Sequence, residues 1–221
     1  MYQHQWHTGE EINLPTGKIV CIGRNYAAHA KELNNPIPSR PILFIKPSTC
    51  LQPFKEIKLA KRLGEHHYEA ELALLVGETI SYGDKDVLTK IAGVGLGLDL
   101  TLRDVQSELK SKGHPWERAK AYDGSCPVTP FYPVKSPNEL ASTEYKFWQN
   151  GELKQHGKTE LMLFNIERLL TETSESFTLM PGDIVLTGTP EGVGILNEGD
   201  ELRLQYQDHP VFSASITLRC S

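Results

Sequence analysis

Two glutamates in the segment HYEAEL (67–72) are spaced for a joint chemical role. Successive side chains of a β-strand point to opposite faces, so Glu69 and Glu71 would share one face, and Ala70 and Leu72 the other. Two neighbouring carboxylates repel each other, and their burial is unfavourable unless a cation lies near them. The pair therefore predicts either a cation site or the acidic outer face of a half-exposed strand.

A third acid favours the cation site. Asp99 is embedded in the apolar run GVGLGLDL, where a lone carboxylate would be hard to satisfy. Three oxygen donors without a Cys or His cluster suit a hard cation such as Mg²⁺ or Mn²⁺. His66 and His67 adjoin the glutamates and leave a mixed site with zinc as the weaker alternative.

Two pairs of polar residues could act on a molecule bound at such a cation. Arg103 and Gln106 follow Asp99 at i+4 and i+7, which puts both on one face of a helix, although such a face is more often simply solvated. His29 and Glu32 lie at i and i+3, where the carboxylate can orient the imidazole as a general base. Pairs of this kind are also frequent on surface helices.

The glycine-rich segment TGTPEGVG (187–194) is similar in composition to a phosphate-binding loop. No GK[ST] follows it and no helix pattern begins after it, so we reject a nucleotide site. We expect a tight loop that presents backbone amides or the Thr189 hydroxyl near an anion, or a plain turn between strands.

Short strands must position most of these residues. The strand predictions are KIVCIG, ILFIKP, EIKLA, HHYEAELALLVG, AGVGLGLDLT, DIVLTG, DELRLQY and FSASITLR. The helix predictions are NYAAHAKEL, DKDVLTKIA, LRDVQSELKSKG with its end at Gly113, and MLFNIERLLTETS. Asn150-Gly151 in YKFWQNGELKQ predicts a hairpin with a type I′ turn. Strands outnumber helices at irregular spacing, which predicts a β-rich α+β fold rather than repeated βαβ units.

Composition and charge exclude several classes of protein. The 221 residues are 39% hydrophobic and 23% charged, as in ordinary globular domains, and the length predicts one domain. The net charge of -5 argues against nucleic acid or an anionic membrane as partner. No export signal or long apolar run occurs, so we expect a cytoplasmic location. The cysteines form no CxxC pair, and we expect them to be reduced and mostly buried: Cys21, Cys50, Cys126 and Cys220.

Seven motifs, in order, make the sequence resemble the fumarylacetoacetate hydrolase superfamily, in particular its short branch of acylpyruvate hydrolases and oxaloacetate decarboxylases. They are IVCIGRNYAAHAKE, PILFIKP, HYEAELALLVG, GLDLTLRDVQ, KAYDGSCPV, NGELKQ and PGDIVLTGTPEGVG. The resemblance runs from about Lys18 onwards. It implies a mixed β-sandwich roll with a few short helices, a homodimer, and a single catalytic domain over 1–221 on which an N-terminal extension, 1–17, is packed. The extra N-terminal domain of the larger fumarylacetoacetases is not seen, which puts fumarylacetoacetate in doubt as the substrate.

The resemblance also implies roles for individual residues. Mg²⁺ or Mn²⁺ would be held by Glu69, Glu71 and Asp99, which match the family's ExE and LD motifs. His29 and Glu32 match a catalytic dyad on a segment that orders into a lid over substrate. Lys120 matches a catalytic position near the metal, and five further residues match substrate-binding positions: Arg24, Lys46, Arg103, Gln106 and Thr189.

The activity implied is metal-dependent hydrolysis of the C–C bond of acylpyruvates, which gives a carboxylate and pyruvate. His29, oriented by Glu32, would activate the water. Oxaloacetate decarboxylation at the same site would leave the same pyruvate enolate and need no water. The alternatives are an isomerase, decarboxylase or hydratase of a 2-oxo acid from aromatic catabolism, and a non-catalytic protein that binds a 2-oxo acid.

Overall fold

Strands dominate the computed structural model, which describes residues 2–219. Most are short runs rich in β-branched and leucine side chains that end at glycine, proline or polar turn residues. Their bounds are β1 Ile19–Gly23, β2 Ile42–Lys46, β3 Leu51–Pro53, β4 Glu56–Ala60, β5 His66–Tyr68, β6 Ala70–Val76, β7 Ile91–Leu98, β8 Thr101–Leu102, β9 Cys126–Val128, β10 Tyr132–Pro133, β11 Glu144–Gln149, β12 Glu152–Lys158, β13 Ile184–Leu186, β14 Gly194–Leu196, β15 Glu201–Tyr206 and β16 Phe212–Arg219.

The helices are few and short. Their bounds are α1 Ala27–Glu32, α2 Arg103–Ser111, α3 Glu117–Lys120, α4 Asn138–Ala141 and α5 Ile166–Ser174, with 3₁₀ turns at Ser48–Cys50, Lys61–Leu63, Val87–Lys90 and Thr159–Leu161. The β-rich α+β prediction is therefore confirmed. Over residues 2–219 no helix combines the length and hydropathy needed to cross a membrane.

Three sheets organise the chain. The largest has the order β2-β1-β13-β6-β7-β9-β3, with β10 paired to β7. A second sheet has the order β12-β11-β15-β16-β4, and a small third sheet joins β14, β5 and β8. Parallel pairs (β1 with β13, β3 with β9, β4 with β16) occur among antiparallel ones, so the sheets are mixed.

The central strand β6 separates two apolar layers. Leu72 and Leu74 belong to the main core cluster, together with Phe147 and Leu204 of the second sheet. Ala73 and neighbouring Leu75 belong to the smaller cluster on the opposite face. Because side chains alternate along a strand, β6 is buried on both faces, and every one of its residues is removed from solvent.

The N-terminal residues contact the large sheet. His7 N donates to Phe131 O and Phe131 N donates to Gln5 O, both at close to 2.9 Å. The Gly182 carbonyl, in the loop before β13, accepts hydrogen bonds from Gly17 N and from the His4 ring. These contacts join the segment ahead of β1 to two separate parts of the sheet.

Several local predictions are confirmed. Asn150 and Gly151 have φ values of 53° and 81° and connect β11 to β12, as a type I′ turn requires. α5 begins after Asn165, whose side chain accepts from Arg168 N. Three of the cysteines are free and buried, namely Cys21, Cys50 and Cys126, while the prediction for Cys220 lies outside the described residues.

Two element predictions are wrong. HHYEAELALLVG is not one strand, because β5 ends at Tyr68, β6 begins at Ala70, and the two belong to different sheets. DKDVLTKIA is not a helix beyond one 3₁₀ turn, because Ile91 already pairs with Val76 in the large sheet. In both places strand pairing across the molecule outweighs the local pattern.

Candidate metal and substrate site

The three acids meet where β6 and β7 pair. Ala70 lies opposite Leu98 and Glu71 opposite Gly97, so the start of one strand faces the end of the other. Glu69 occupies the single residue between β5 and β6, and its carbonyl accepts from Asp99 N at 2.8 Å. Glu69 and Glu71 therefore do not belong to the same strand. Glu69 lies at the break between two sheets, and Glu71 lies in β6.

The acids form a buried cluster. Glu69, Glu71 and Asp99 are 5%, 1% and 2% exposed, and each has an oxygen atom within 4.8 Å of an oxygen of the others. The alternative of a solvated acidic strand face is therefore wrong. The histidines do not join the cluster, since the His66 ring bonds the Tyr122 hydroxyl at 2.8 Å and Ala60 O at 3.2 Å.

Two cations touch the cluster from the pocket side. Lys120, the last residue of α3, donates to Glu69 Oε2 at 2.8 Å, to Asp99 Oδ2 at 2.6 Å and to the Thr101 hydroxyl at 2.7 Å. Arg103 donates to Glu69 Oε1 and, at 2.7 Å, to the side-chain oxygen of Gln106. The predicted Arg103 and Gln106 face of α2 is thus turned towards the acids.

Lys46 lies behind the cluster. It is fully buried, and its Nζ is 2.9 Å from Asp99 Oδ1. The same ammonium donates to the Lys120 carbonyl, to Leu100 O at 3.3 Å and to the Ser125 carbonyl and hydroxyl at 3.0 Å. Lys46 does not line the cavity in front of the acids, so its geometry supports Asp99 rather than direct contact with substrate.

The cluster shifts the pKa values of its members in opposite directions. Burial opposes ionisation of Glu69, but Lys120 and Arg103 outweigh it and hold the pKa of that carboxyl well below its usual range. Burial and then the charges of Asp99 and Glu69 raise the pKa of Glu71 well above its usual range. Burial would lower the pKa of Lys120, yet Asp99 and Glu69 raise it. Without a bound cation, these charges favour the ammonium form of Lys120.

The donor set fits a hard divalent cation. All three donors are carboxylates, and their separation of up to 4.8 Å is close to the roughly 4.2 Å between opposite oxygens in an octahedron with bonds near 2.1 Å. Asp99 Oδ1 is buried and has no hydrogen bond of good geometry, and Glu71 receives one bond at Oε2, from Gly188 N at 2.7 Å. Apart from the Lys46 ammonium behind it, Asp99 Oδ1 could take a cation as its partner, and that cation would reverse the raised pKa of Glu71.

The His29 and Glu32 pair is formed. His29 Nδ1 lies 3.1 Å from Glu32 Oε2, and Glu32 Oε1 accepts from Gly192 N at 3.0 Å. His29 is buried and lines the cavity in front of the acids, whereas Glu32 does not. With Nδ1 directed at the carboxylate, Nε2 is the ring atom left for other work.

The glycine-rich loop contacts the site through Gly188 and Thr189. The predicted amide near an anion is Gly188 N, and its partner is the Glu71 carboxyl of this chain. The Thr189 hydroxyl donates to Ala70 O at 2.9 Å and accepts from Gln155 at 2.8 Å. Gln155 also accepts from Ala70 N, so this fully buried amide, which had no predicted role, fixes the loop against the start of β6.

A small cavity of about 40 Å³ lies between the acids, α1 and α2. Of the residues predicted for the site, those lining it are Arg24, His29, Glu69, Glu71, Asp99, Arg103, Gln106, Lys120 and Thr189. Trp116 and Lys110 also line it and were not predicted. Lys110 could have been found, because it follows Arg103 by seven residues and so shares its helix face; Trp116 precedes α3 and carries no such signal.

The sequence matches known proteins over almost its whole length. The family model described as fumarylacetoacetate (FAA) hydrolase C-terminal matches residues 18–217. Oxaloacetate tautomerase YcgM of Escherichia coli (strain K12) is 44% identical over 212 residues, which are 95% of this chain and 97% of the relative. The mitochondrial oxaloacetate decarboxylase of Dictyostelium discoideum is 39% identical over 90% of this chain and 89% of its own length.

Solved structures agree with the sequence matches. A fumarylacetoacetate hydrolase family protein from Yersinia pestis CO92 has a TM-score of 0.94 and 41% identity, over 98% of this chain and 100% of that one. Fumarylpyruvate hydrolase from Pseudomonas aeruginosa, solved with Mn²⁺ and pyruvate, has a TM-score of 0.90 and 30% identity, over 99% and 96%. With its strand-rich mixed roll, the chain belongs to the fumarylacetoacetate hydrolase family.

Proposed function

We propose that this protein is a divalent-metal-dependent enzyme that interconverts the enol and keto forms of oxaloacetate. The observation that carries the proposal is one cavity lined both by the buried acids Glu69, Glu71 and Asp99 and by an oriented imidazole, His29. The identity of 44% to a protein named oxaloacetate tautomerase supports the choice of substrate.

Residues of this chain would bind the substrate around the acids. A divalent cation, Mg²⁺ or Mn²⁺, held by Glu69, Glu71 and Asp99 would supply Lewis-acid stabilisation of negative charge on the 2-oxo oxygen. Arg103 and Gln106 are already joined by a hydrogen bond. Their side chains present donors to the substrate carboxylate that adjoins the 2-oxo group. Lys120 donates to Glu69 and Asp99 and balances part of the charge of the acids.

Tautomerisation moves one proton between the enol oxygen and C3. His29 suits this transfer because Glu32 fixes Nδ1 and leaves Nε2 to accept a proton and return it. Tautomerisation consumes no water, so His29 and the substrate suffice for the proton transfer.

Acylpyruvate hydrolysis is the second candidate, and the same His–Glu pair favours it. His29 could equally activate a water for attack on the distal carbonyl, and a structural relative at 30% identity is named fumarylpyruvate hydrolase. Oxaloacetate decarboxylation is a further candidate, supported by the Dictyostelium discoideum relative of that name. The homodimer, the cytoplasmic location and the single domain with a packed 1–17 extension stay predictions.

The experiment compares three reactions on one preparation: loss of the oxaloacetate enol, release of CO₂ from oxaloacetate, and cleavage of acetylpyruvate. Each is measured in chelator and after addition of Mn²⁺ or Mg²⁺. We expect metal-dependent enol conversion to have the highest kcat/KM. His29→Gln should lower it by about 10²- to 10⁴-fold, and the exposed His114→Gln should not. Faster cleavage of acetylpyruvate would favour the second candidate instead.

A further inference from the structure

Two cations at the rim of the cavity have no carboxylate partner among the described residues. Arg24 and Lys110 both line the cavity, as does Arg103, which pairs with Glu69. Among residues 2–219, neither Arg24 nor Lys110 lies within 4.0 Å of an Asp or Glu oxygen. In a chain with a net charge of -5, unpaired cations that converge on one pocket create a local field that attracts anions.

Lys110 is held at the rim by the segment that carries His29. Its Nζ donates to Asn35 Oδ1 at 2.8 Å, and Asn35 N donates in turn to Ala30 O of α1. Partial burial lowers the pKa of Lys110, and the charges of Arg24 and Arg103 lower it further. Because Arg24, Arg103 and Lys110 line the same cavity, an anion bound there would relieve the repulsion among them.

Arg24 reaches the same rim from a strained backbone. Its φ is 59°, in the left-handed region, which is unfavourable for a residue with a side chain. The next residue, Asn25, is fixed by bonds to Phe164 and Thr187, which maintain the conformation. This backbone conformation turns the chain between β1 and α1, at the position where the Arg24 side chain lines the cavity.

We propose that Arg24 and Lys110 form a subsite for a second carboxylate, which makes the enzyme selective for 2-oxo acids that carry a carboxylate at C4. This inference rests on the proposed function. The 2-oxo acid end of the substrate would face Arg103, Gln106 and the acid cluster. The distal carboxylate would lie between the two rim cations, and a methyl group in its place would leave both cations unpaired.

The test compares binding of two non-reacting acids to the Mn²⁺-loaded protein by calorimetry. Malate and 2-hydroxybutanoate share a 2-hydroxy acid head and differ by a carboxylate in place of a methyl group. We expect the wild type to bind malate at least about tenfold more tightly, as charge-assisted hydrogen bonds would give. Lys110→Met and Arg24→Met should each remove most of this preference and leave binding of 2-hydroxybutanoate within about twofold.

Two matched variants separate charge from structure. Lys112 lies at the end of the same helix, does not line the cavity, and pairs through its Nζ with Glu108 at 2.5 Å. Lys112→Met therefore removes a lysine from this helix without changing the cavity. It should keep the preference for malate, and so should Lys110→Arg. The subsite is contradicted if the wild type does not prefer malate, if neither acid binds, or if Lys110→Met and Arg24→Met weaken both acids alike.

Enzyme kinetics distinguish a failure of the subsite from a failure of the proposed function. With both correct, Lys110→Met raises KM for oxaloacetate and changes kcat little. Selective malate binding that depends on Lys110, in a protein without tautomerase activity, overturns the function and keeps the subsite. Tautomerase activity with unchanged KM in both rim variants overturns the subsite alone.

Discussion

Glu71 is the residue whose state depends most on a bound cation. It is buried beside Asp99 and Glu69, which raises its pKa, and one hydrogen bond from Gly188 N supports it. Glu71→Gln keeps an oxygen for that bond and removes the negative charge. The metal-free protein should therefore lose no stability, while the charge needed to hold the cation is lost.

Thermal unfolding with and without Mn²⁺ measures this directly. At an Mn²⁺ concentration of about 100 times Kd the wild type should gain about 2.7 kcal/mol, and Glu71→Gln should gain almost nothing. Glu78 is an exposed acid beyond the other end of β6, and Glu78→Gln should behave as the wild type. An equal Mn²⁺ shift in Glu71→Gln would show that the cation binds elsewhere.

Lys46 has a structural role that its motif alone did not reveal. Its ammonium faces Asp99 Oδ1 and bonds the carbonyls of Leu100 and Ser125 without any exposure to solvent. Lys46→Met leaves Asp99 and these oxygens without their cation, so we expect a loss of about 3 to 5 kcal/mol in the free energy of unfolding.

Urea denaturation with a matched lysine checks the value for Lys46. Lys58 is part-exposed and pairs with exposed Glu56 at 2.9 Å, so Lys58→Met should cost less than about 1 kcal/mol. Similar losses in both variants would mean that the buried contacts of Lys46 do not stabilise the fold.

Among the elements, the loop before β13 connects the N-terminal segment to the large sheet. Gly182 has a φ of 89°, and a Cβ there would overlap the Pro15 carbonyl oxygen. Gly9 has a similar φ of 94°, but no atom lies within 4 Å of a Cβ built on it. Substitution of either glycine would therefore strain the backbone, but only a Cβ at Gly182 would also overlap a neighbouring residue.

Gly9→Ala should lower the free energy of unfolding by about 1 to 2 kcal/mol for the backbone alone. Gly182→Ala should lower it by a further 1 to 3 kcal/mol or so, because Pro15 must move. Chemical denaturation of both variants measures the difference. Equal losses would contradict close packing of the segment around Pro15 on the sheet.

The sequence predicted most elements and failed where distant pairing decides. The Asn150-Gly151 turn and α5 carry their own signals and were found. The break at Glu69 was not, because alternation continues through HYEAEL and only the pairing of β5 with β8 and β14 reveals it. The ordered motifs predicted which residues meet at the cavity, but not that Lys46 lies behind Asp99, since spacing carries no information on depth.

At the scale of the whole molecule, a buried histidine links the N-terminal segment to the pH dependence of stability. His4 is fully buried between Tyr2 and Phe131 and bonds Gly182 O. Burial lowers the pKa of His4 from its ordinary value of 6.5, although the Gly182 and Pro15 carbonyls act in the opposite direction. Below that value the unfolded chain binds the proton more readily than the folded chain, so stability decreases as the pH is lowered.

His4→Gln should reduce the slope of Tm against pH below pH 6.5, where the wild type takes up its proton on unfolding. Part of the slope should remain, because burial also lowers the pKa values of His66 and His67. The exposed His114→Gln serves as the control and should keep the full slope. An unchanged slope in His4→Gln would mean that the ring is not buried in solution.

On the proposed function, one buried acid cluster holds the cation on which the conversion of oxaloacetate depends. The most direct measurement titrates Mn²⁺ into chelator-treated protein and follows both heat of binding and the rate of oxaloacetate enol conversion. We predict one Mn²⁺ per chain, half-maximal rate at the calorimetric Kd, and loss of both signals in Glu71→Gln. A conversion rate that is the same in chelator and at saturating Mn²⁺ would contradict the claim.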